Sequence, residues 1–382
     1  MITVSLFRDL PEERRVSMEV YADHLAAGLR HRFPGQLRLQ EVCLPGAGEP
    51  SNGRPGRVMG RIAAGLRRFV EYPRAAARLQ ADINHIIDHG YADLALRMDK
   101  SRTVITCHDL VLLKREVRAL NPRGYSRLAL NRFRWYSVRG LEMACQVIAI
   151  SECTRRDLLR HTNCKSDNIT TIPYGVSSRF SPERAPEKVK ETRRQHGIPE
   201  MSVVLHVGHV DFYKNIEGLL RIFAKIRERA GAGVTLVRVG PRLTPPQRAL
   251  ASRLGLKDDL VEIGPLPSAR LPEIYRTATV FLFPSLYEGF GMPPLEAMAC
   301  GVPVVSSDAG ALGEVVGEAG LRRSATDEEG MAGDVHALLL DRARRQELVE
   351  KGLQRARLFS WELNAERTRE VYEQVMRQGR RA

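Results

Sequence analysis

Short runs of apolar residues recur along this chain, each followed by a polar turn and then by a stretch whose apolar residues return at helical spacing. Val203-Val-Leu-His-Val207 is one such run, and residues 215–229 behind it carry Ile216, Leu219, Leu220, Phe223 and Ile226 on a single stripe. Residues 234–239, 261–263, 280–283 and 302–305 continue the series, with helices expected over 271–277 and 293–299. A run without polar alternation is buried on both faces, which a parallel sheet covered by helices on each side provides. The first half repeats the theme, with a first strand expected at residues 1–7 and further buried strands at 104–107 and 147–150. The pattern predicts an α/β chain.

Its 382 residues exceed the roughly 250 to 300 at which one core stops growing, so two domains are expected. Residues 177–191, rich in Pro, Arg, Glu and Lys, are the linker candidate. A last helix is expected over about 361–376, marked by Leu363, Val371, Tyr372 and Val375. There is no uninterrupted stretch of 18 or more apolar residues, and the N-terminus reads as a strand, so neither a signal peptide nor a membrane span is expected. The six cysteines, at 43, 107, 145, 153, 164 and 300, show no Cys-x-x-Cys spacing. Buried free thiols in a reducing cytoplasm are the expectation.

Nearly all of the formal charge of +14 sits in two stretches: residues 51–80 hold seven Arg against one Glu, and residues 114–139 hold eight Lys or Arg against one Glu. In the first, Val58, Ile62, Leu66, Phe69 and Val70 fall at helical spacing between arginines, a pattern shared by interfacial helices drawn to anionic lipid and by ordinary surface helices. Nucleic-acid binding ranks below both. Aromatic residues are only 6% of the chain, with no base-stacking series beside the charge.

Chemistry concentrates after the run at 280–283. Residues 284–296 read Pro-Ser-Leu-Tyr-Glu-Gly-Phe-Gly-Met-Pro-Pro-Leu-Glu, so Glu288 and Glu296 bracket a glycine-containing turn and the start of a helix. Gly289 and Gly291 let backbone approach a ligand, and Pro293 and Pro294 suit the first helical turn. A helix N-terminus beyond a strand's carboxyl end suits a diphosphate, and a carboxylate accepts hydrogen bonds from vicinal sugar hydroxyls. Two solvated surface glutamates are the plain alternative.

The block from Phe283 to Val305 resembles the Glu-x7-Glu signature of family 4 glycosyltransferases, retaining enzymes of the GT-B fold. Residues 310–320 are similar to the segment that follows that signature, residues 207–215 to the donor-domain turn, and residues 149–154 and 172–176 to the end of the first domain. The resemblance covers roughly residue 100 onward. It implies an α/β GT-B architecture, two Rossmann-like domains with parallel sheets facing across an interdomain cleft. An acceptor-binding domain is expected over 1–180 plus 363–382 and a nucleotide-sugar domain over 181–362.

By resemblance, Glu288 contacts the transferred sugar, Glu296 the ribose hydroxyls, Lys214 the diphosphate, and the backbone near Gly289, Phe290 and Gly291 the sugar or phosphate. His108, after the strand at 104–107, stands where the family has an active-site histidine; a buried histidine bound to a carbonyl is the alternative. The family usually has Arg where this chain has His209, which lacks a guanidinium fork. The Gly-Gly loop common after the first strand is replaced here, leaving Arg14 or Arg15, Ser17 and Met18 as acceptor-side candidates. No metal is expected, and no cofactor beyond a nucleoside-diphosphate sugar as donor. The function implied is transfer of a hexose, mannose or glucose, to a glycan or lipid-linked acceptor in surface polysaccharide synthesis, at the cytoplasmic side of an anionic membrane surface. A GT-B sugar-nucleotide epimerase and a non-catalytic nucleotide-sugar-binding subunit are the alternatives.

Overall fold

A computed structural model describes residues 1–13, 15–44, 63–121, 124, 126–183 and 185–379. Arg14, Val58 and Ile62 lie outside the described residues. The chain forms two compact units, one of residues 1–113, 125–175 and 361 onward, the other of residues 114–124 and 176–360.

The first unit holds β1 (Ile2–Phe7), β2 (Leu37–Val42), β3 (Ile83–Ile86), β4 (Thr103–Cys107), β5 (Gln146–Ala149) and β6 (Ile169–Thr171) in the order β2-β1-β3-β4-β5-β6, every neighbour parallel. Its helix Val16–Arg32 packs on the last helix, Trp361–Gly379. The contact is tight at Gly28, where a Cβ would stand 3.0 Å from the Cβ of Ala365. Tyr372 of the last helix is fully buried, with its hydroxyl 2.7 Å from His85 Nδ1 on β3.

The second unit holds β7 (Ser202–Val207), β8 (Val234–Val239), β9 (Leu260–Ile263), β10 (Val280–Phe283), β11 (Val304–Ser307) and β12 (Leu321–Arg323), parallel throughout in the order β12-β11-β10-β7-β8-β9. Helix Ile216–Ala230 buries Ile216, Leu219, Leu220, Ile222, Phe223 and Ile226 completely. Each such side chain contributes about 1.5 to 3 kcal/mol of transfer free energy. In both sheets the winding direction reverses beside the first strand, between β1 and β3 and between β7 and β10. In open parallel sheets, ligands bind outside the carboxyl ends of the strands at such a reversal.

Two details depart from the sequence reading. The end of the linker candidate, residues 186–191, opens a helix, Pro186–His196, which has Pro at its start, a left-handed Gly197 at its end and only Thr192 buried, a composition that looks like a linker from sequence. Residues 114–124, expected in the first domain, group with the second unit, where the Lys114 ammonium lies 4.8 Å above the Tyr287 ring.

Candidate functional site

In the second unit the strands flanking the reversal deliver their loops side by side. After β7 comes a turn, Phe212–Lys214, and then Asn215, in the left-handed conformation at φ 54° and ψ 47°. The Asn215 carboxamide accepts from Gly218 N at 3.2 Å and donates to Pro284 O at 2.9 Å and Ala325 O at 3.3 Å. One side chain thus caps a helix and fastens the loop after β7 to the loop after β10. Leu286 N also donates to Tyr213 O at 2.7 Å.

That fastening brings Lys214 to Glu288. Lys214 Nζ donates to Glu288 Oε1 at 2.8 Å and Oε2 at 3.0 Å, with both side chains largely buried. The ammonium also lies 5.5 Å from the centre of the Phe283 ring. Behind Glu288, Gly310 at φ +66° leaves room for the main chain: a Cβ there would stand 2.2 Å from Glu288 O. Gly291, at φ +115°, precedes helix Met292–Ala299, which starts one residue earlier than the sequence suggested. Phe290 is buried and meets Phe359 edge to face at 5.8 Å, which makes it a packing residue of this loop.

Glu296 lies one turn into that helix, half-buried. Its carboxylate accepts from the Tyr275 hydroxyl at 2.8 Å, and burial raises its pKa to about 7 against the opposing effect of that bond. His209 is exposed, with Nδ1 3.0 Å from Asp211 Oδ2. Lys214 and Glu288 therefore meet beyond the carboxyl ends of β7 and β10, and Glu296 stands on the helix that follows, a cation and two carboxylates in one unit, chemically matched to a phosphate and to sugar hydroxyls.

The first unit gathers charge at its own reversal. Asp88 follows β3 and accepts from Arg15 Nη1 at 2.7 Å and Gly90 N at 2.8 Å, with His89 Nδ1 at 3.2 Å. Burial pushes the Asp88 carboxyl up, but the His89 bond and the charges of His89 and Arg15 outweigh it and hold it well below the usual range. Asp9, after β1, is raised to about 9 by burial and by the charge of Asp88. His108 is buried and doubly bound: Nε2 lies 2.6 Å from Ile87 O, so it carries the proton, and Nδ1 accepts from the Tyr174 hydroxyl. Burial lowers its pKa to about 4, which leaves it neutral. Ser17 is exposed and Met18 half-buried in the first turn of helix Val16–Arg32.

Two family models divide the chain between them: residues 18–180 match "Glycosyltransferase Family 4" and residues 188–355 match "Glycosyl transferases group 1". O-antigen chain mannosyltransferase B of Escherichia coli is 30% identical over 326 residues, covering 79% of this chain and 80% of that one. The chain belongs to glycosyltransferase family 4. A second relative, the serotype-specific mannosyltransferase WbdA of Escherichia coli, is 28% identical over 75% of this chain, which spans 36% of that longer protein. Among solved structures, Anabaena HepE in complex with UDP and glucose superposes with a TM-score of 0.73 at 16% identity, covering 98% of this chain and 100% of that one. The two parallel α/β units of this glycosyltransferase are those of the GT-B fold.

Sequence reasoning missed three residues of the second unit. Tyr275, 21 residues before Glu296, gave no signal of its own. Asn215 was visible only as part of the donor-domain turn, although an Asn ahead of a helical stripe is a cap signal. Arg238 lies in a strand expected to be apolar and buried, and gives no sign in sequence that its charge is completely buried with it.

Proposed function

We propose that this glycosyltransferase transfers a hexose, with mannose the first choice, from a nucleoside-diphosphate sugar to a glycan or lipid-linked acceptor of a surface polysaccharide, with retention of anomeric configuration. The Lys214–Glu288 pair at the reversal of the second sheet carries the reading. A bound diphosphate draws Lys214 away from Glu288, so the ammonium neutralises the leaving group while the freed carboxylate faces the sugar and stabilises positive charge as the anomeric bond breaks. Glu296 holds the ribose hydroxyls, and the first unit, with Arg15 and Asp88 at its strand ends and His108 behind them, receives the acceptor. The names of the two mannosyltransferase relatives and the UDP and glucose bound to HepE support the substrate classes.

No metal enters this reading. Cationic side chains neutralise the diphosphate, and excess EDTA is expected to leave the rate unchanged.

Purified protein incubated with GDP-mannose, UDP-glucose, UDP-galactose and ADP-glucose plus lipid-linked glycan acceptors tests the proposal. Transfer to an acceptor supports it. Release of an altered free sugar nucleotide favours an epimerase, and binding without turnover favours a non-catalytic subunit.

Work at a membrane surface is part of the proposal. Among the described residues no helix is long and apolar enough to cross a membrane. Leu128 and Trp135, seven residues apart on the helical run 127–143, are both exposed, and the Arg139 guanidinium lies 4.8 Å from the Trp135 ring. An apolar pair beside arginines suits an anionic interface. Flotation with anionic vesicles at low salt is expected to carry the protein up, and to carry Trp135→Ala up less; no flotation removes the membrane part.

A further inference from the structure

His209 leaves the donor loop without the guanidinium that its family usually has there, yet a guanidinium lies directly beneath that loop. Arg238, the next-to-last residue of β8, pairs in register with His206 of β7, and both are completely buried. Its Nη2 donates to Gly208 O at 3.3 Å and its Nη1 to Pro241 O. Gly208 and Pro241 begin the loops after β7 and β8, so one side chain holds two loop carbonyls inward. The loops touch back to back: a Cβ on Gly240 would stand 2.1 Å from Gly208 O.

The charge is weakly balanced. Glu262 Oε1 is 3.9 Å from Arg238 Nη1 and spends its hydrogen bond on Leu243 N at 2.7 Å. Arg238 Nε and both ring nitrogens of His206 are buried with no partner in the protein. A buried guanidinium without a close carboxylate is costly unless something anionic approaches it. His206 is kept neutral by burial and by the positive charges of Arg238 and Lys214; its ring lies 5.8 Å from the Phe283 ring, whose centre is 5.5 Å from the Lys214 ammonium.

We propose that Arg238 is the positioning residue for the donor diphosphate. From beneath the loop it supplies the positive potential that His209 does not, and by tying back the Gly208 and Pro241 carbonyls it removes their repulsion from the phosphate side. The inference rests on the nucleotide-sugar site proposed above.

The test is the ratio of affinities for a nucleoside diphosphate and the matching monophosphate, measured calorimetrically with UDP and UMP, GDP and GMP, and ADP and AMP. A purely structural role for Arg238 would weaken both members of a pair alike. Arg238→Met is expected to lower the diphosphate preference about tenfold, and His209→Arg in that background to restore most of it. Glu262→Gln, which keeps an acceptor for Leu243 N and removes the opposing charge, is expected to raise the preference about threefold. A preference unchanged in Arg238→Met, or unchanged in Glu262→Gln if the former does not fold, overturns the inference. If the unaltered protein binds none of these nucleotides, the proposed function itself fails.

Discussion

Lys214 Nζ bridges both carboxylate oxygens of Glu288, at 2.8 Å and 3.0 Å, so the cation proposed for the phosphate and the carboxylate proposed for the sugar neutralise each other and hold each other in place. Lys214→Ala removes the cation and leaves a buried carboxylate facing the diphosphate. Nucleoside-diphosphate affinity is expected to fall at least tenfold, with nucleoside affinity within about threefold of the unaltered protein, read by calorimetry.

Glu296 titrates at about 7 in the folded chain, against 4.5 for an ordinary glutamate, because burial disfavours its charged form. Between those values the folded chain holds a proton that the unfolded chain has released, so this group lowers stability as pH rises from about 4.5 to 7. The loss amounts to about 1 to 2 kcal/mol for a half-buried carboxyl, and Glu296→Gln is expected to flatten that part of the stability–pH curve. In the proposed role, ribose hydroxyls donating to Glu296 favour its ionised form. Affinity for an intact sugar nucleotide, whose diphosphate does not titrate in this range, should therefore rise from pH 6 to 8 in the native sequence and stay level in Glu296→Gln.

Asn215 joins a left-handed backbone to three hydrogen bonds. Asn215→Ala loses the bonds and forces Ala into that conformation, at a cost of about 2 to 4 kcal/mol. Asn215→Gly loses the same bonds without the backbone penalty and should be the more stable of the two. Thermal unfolding of both variants checks the order; an Ala variant as stable as the Gly variant would contradict it.

Much of this was legible in the sequence, and the reasons are local. The run at 280–283, the glycines at 289 and 291 and the prolines at 293 and 294 each report the backbone they require, so strand, turn and helix could be read within a residue of where they lie. The pairing of Glu288 with Lys214 spans 74 residues and that of Glu296 with Tyr275 spans 21. Such pairings depend on which strands become neighbours, and no short window carries that. His108 shows the same limit: its strand-end position and the alternative of a buried, carbonyl-bound histidine were readable, but the partners, Ile87 O and Tyr174, were not. Arg238, inside the strand expected at 234–239, gives no signal of its role, because its acceptors are carbonyls of two loops brought together by the sheet.

Gly310 backs the Glu288 main chain, and Ala311 N donates to Glu288 O at 2.9 Å. Gly310→Ala places a methyl group into that carbonyl and strains a positive φ, so the loop must shift. Transfer is expected to drop at least tenfold while circular dichroism stays native, since the shift is confined to one loop; an unchanged rate would show that Glu288 need not be held there.

The most direct measurement is binding and transfer on Glu288→Gln in parallel. Gln keeps the shape and releases Lys214 from its counter-ion, so sugar-nucleotide affinity should be equal to or tighter than in the native protein, while transfer falls by at least a hundredfold. A variant that transfers at the native rate, or one that no longer binds the sugar nucleotide, would contradict the role given to this carboxylate.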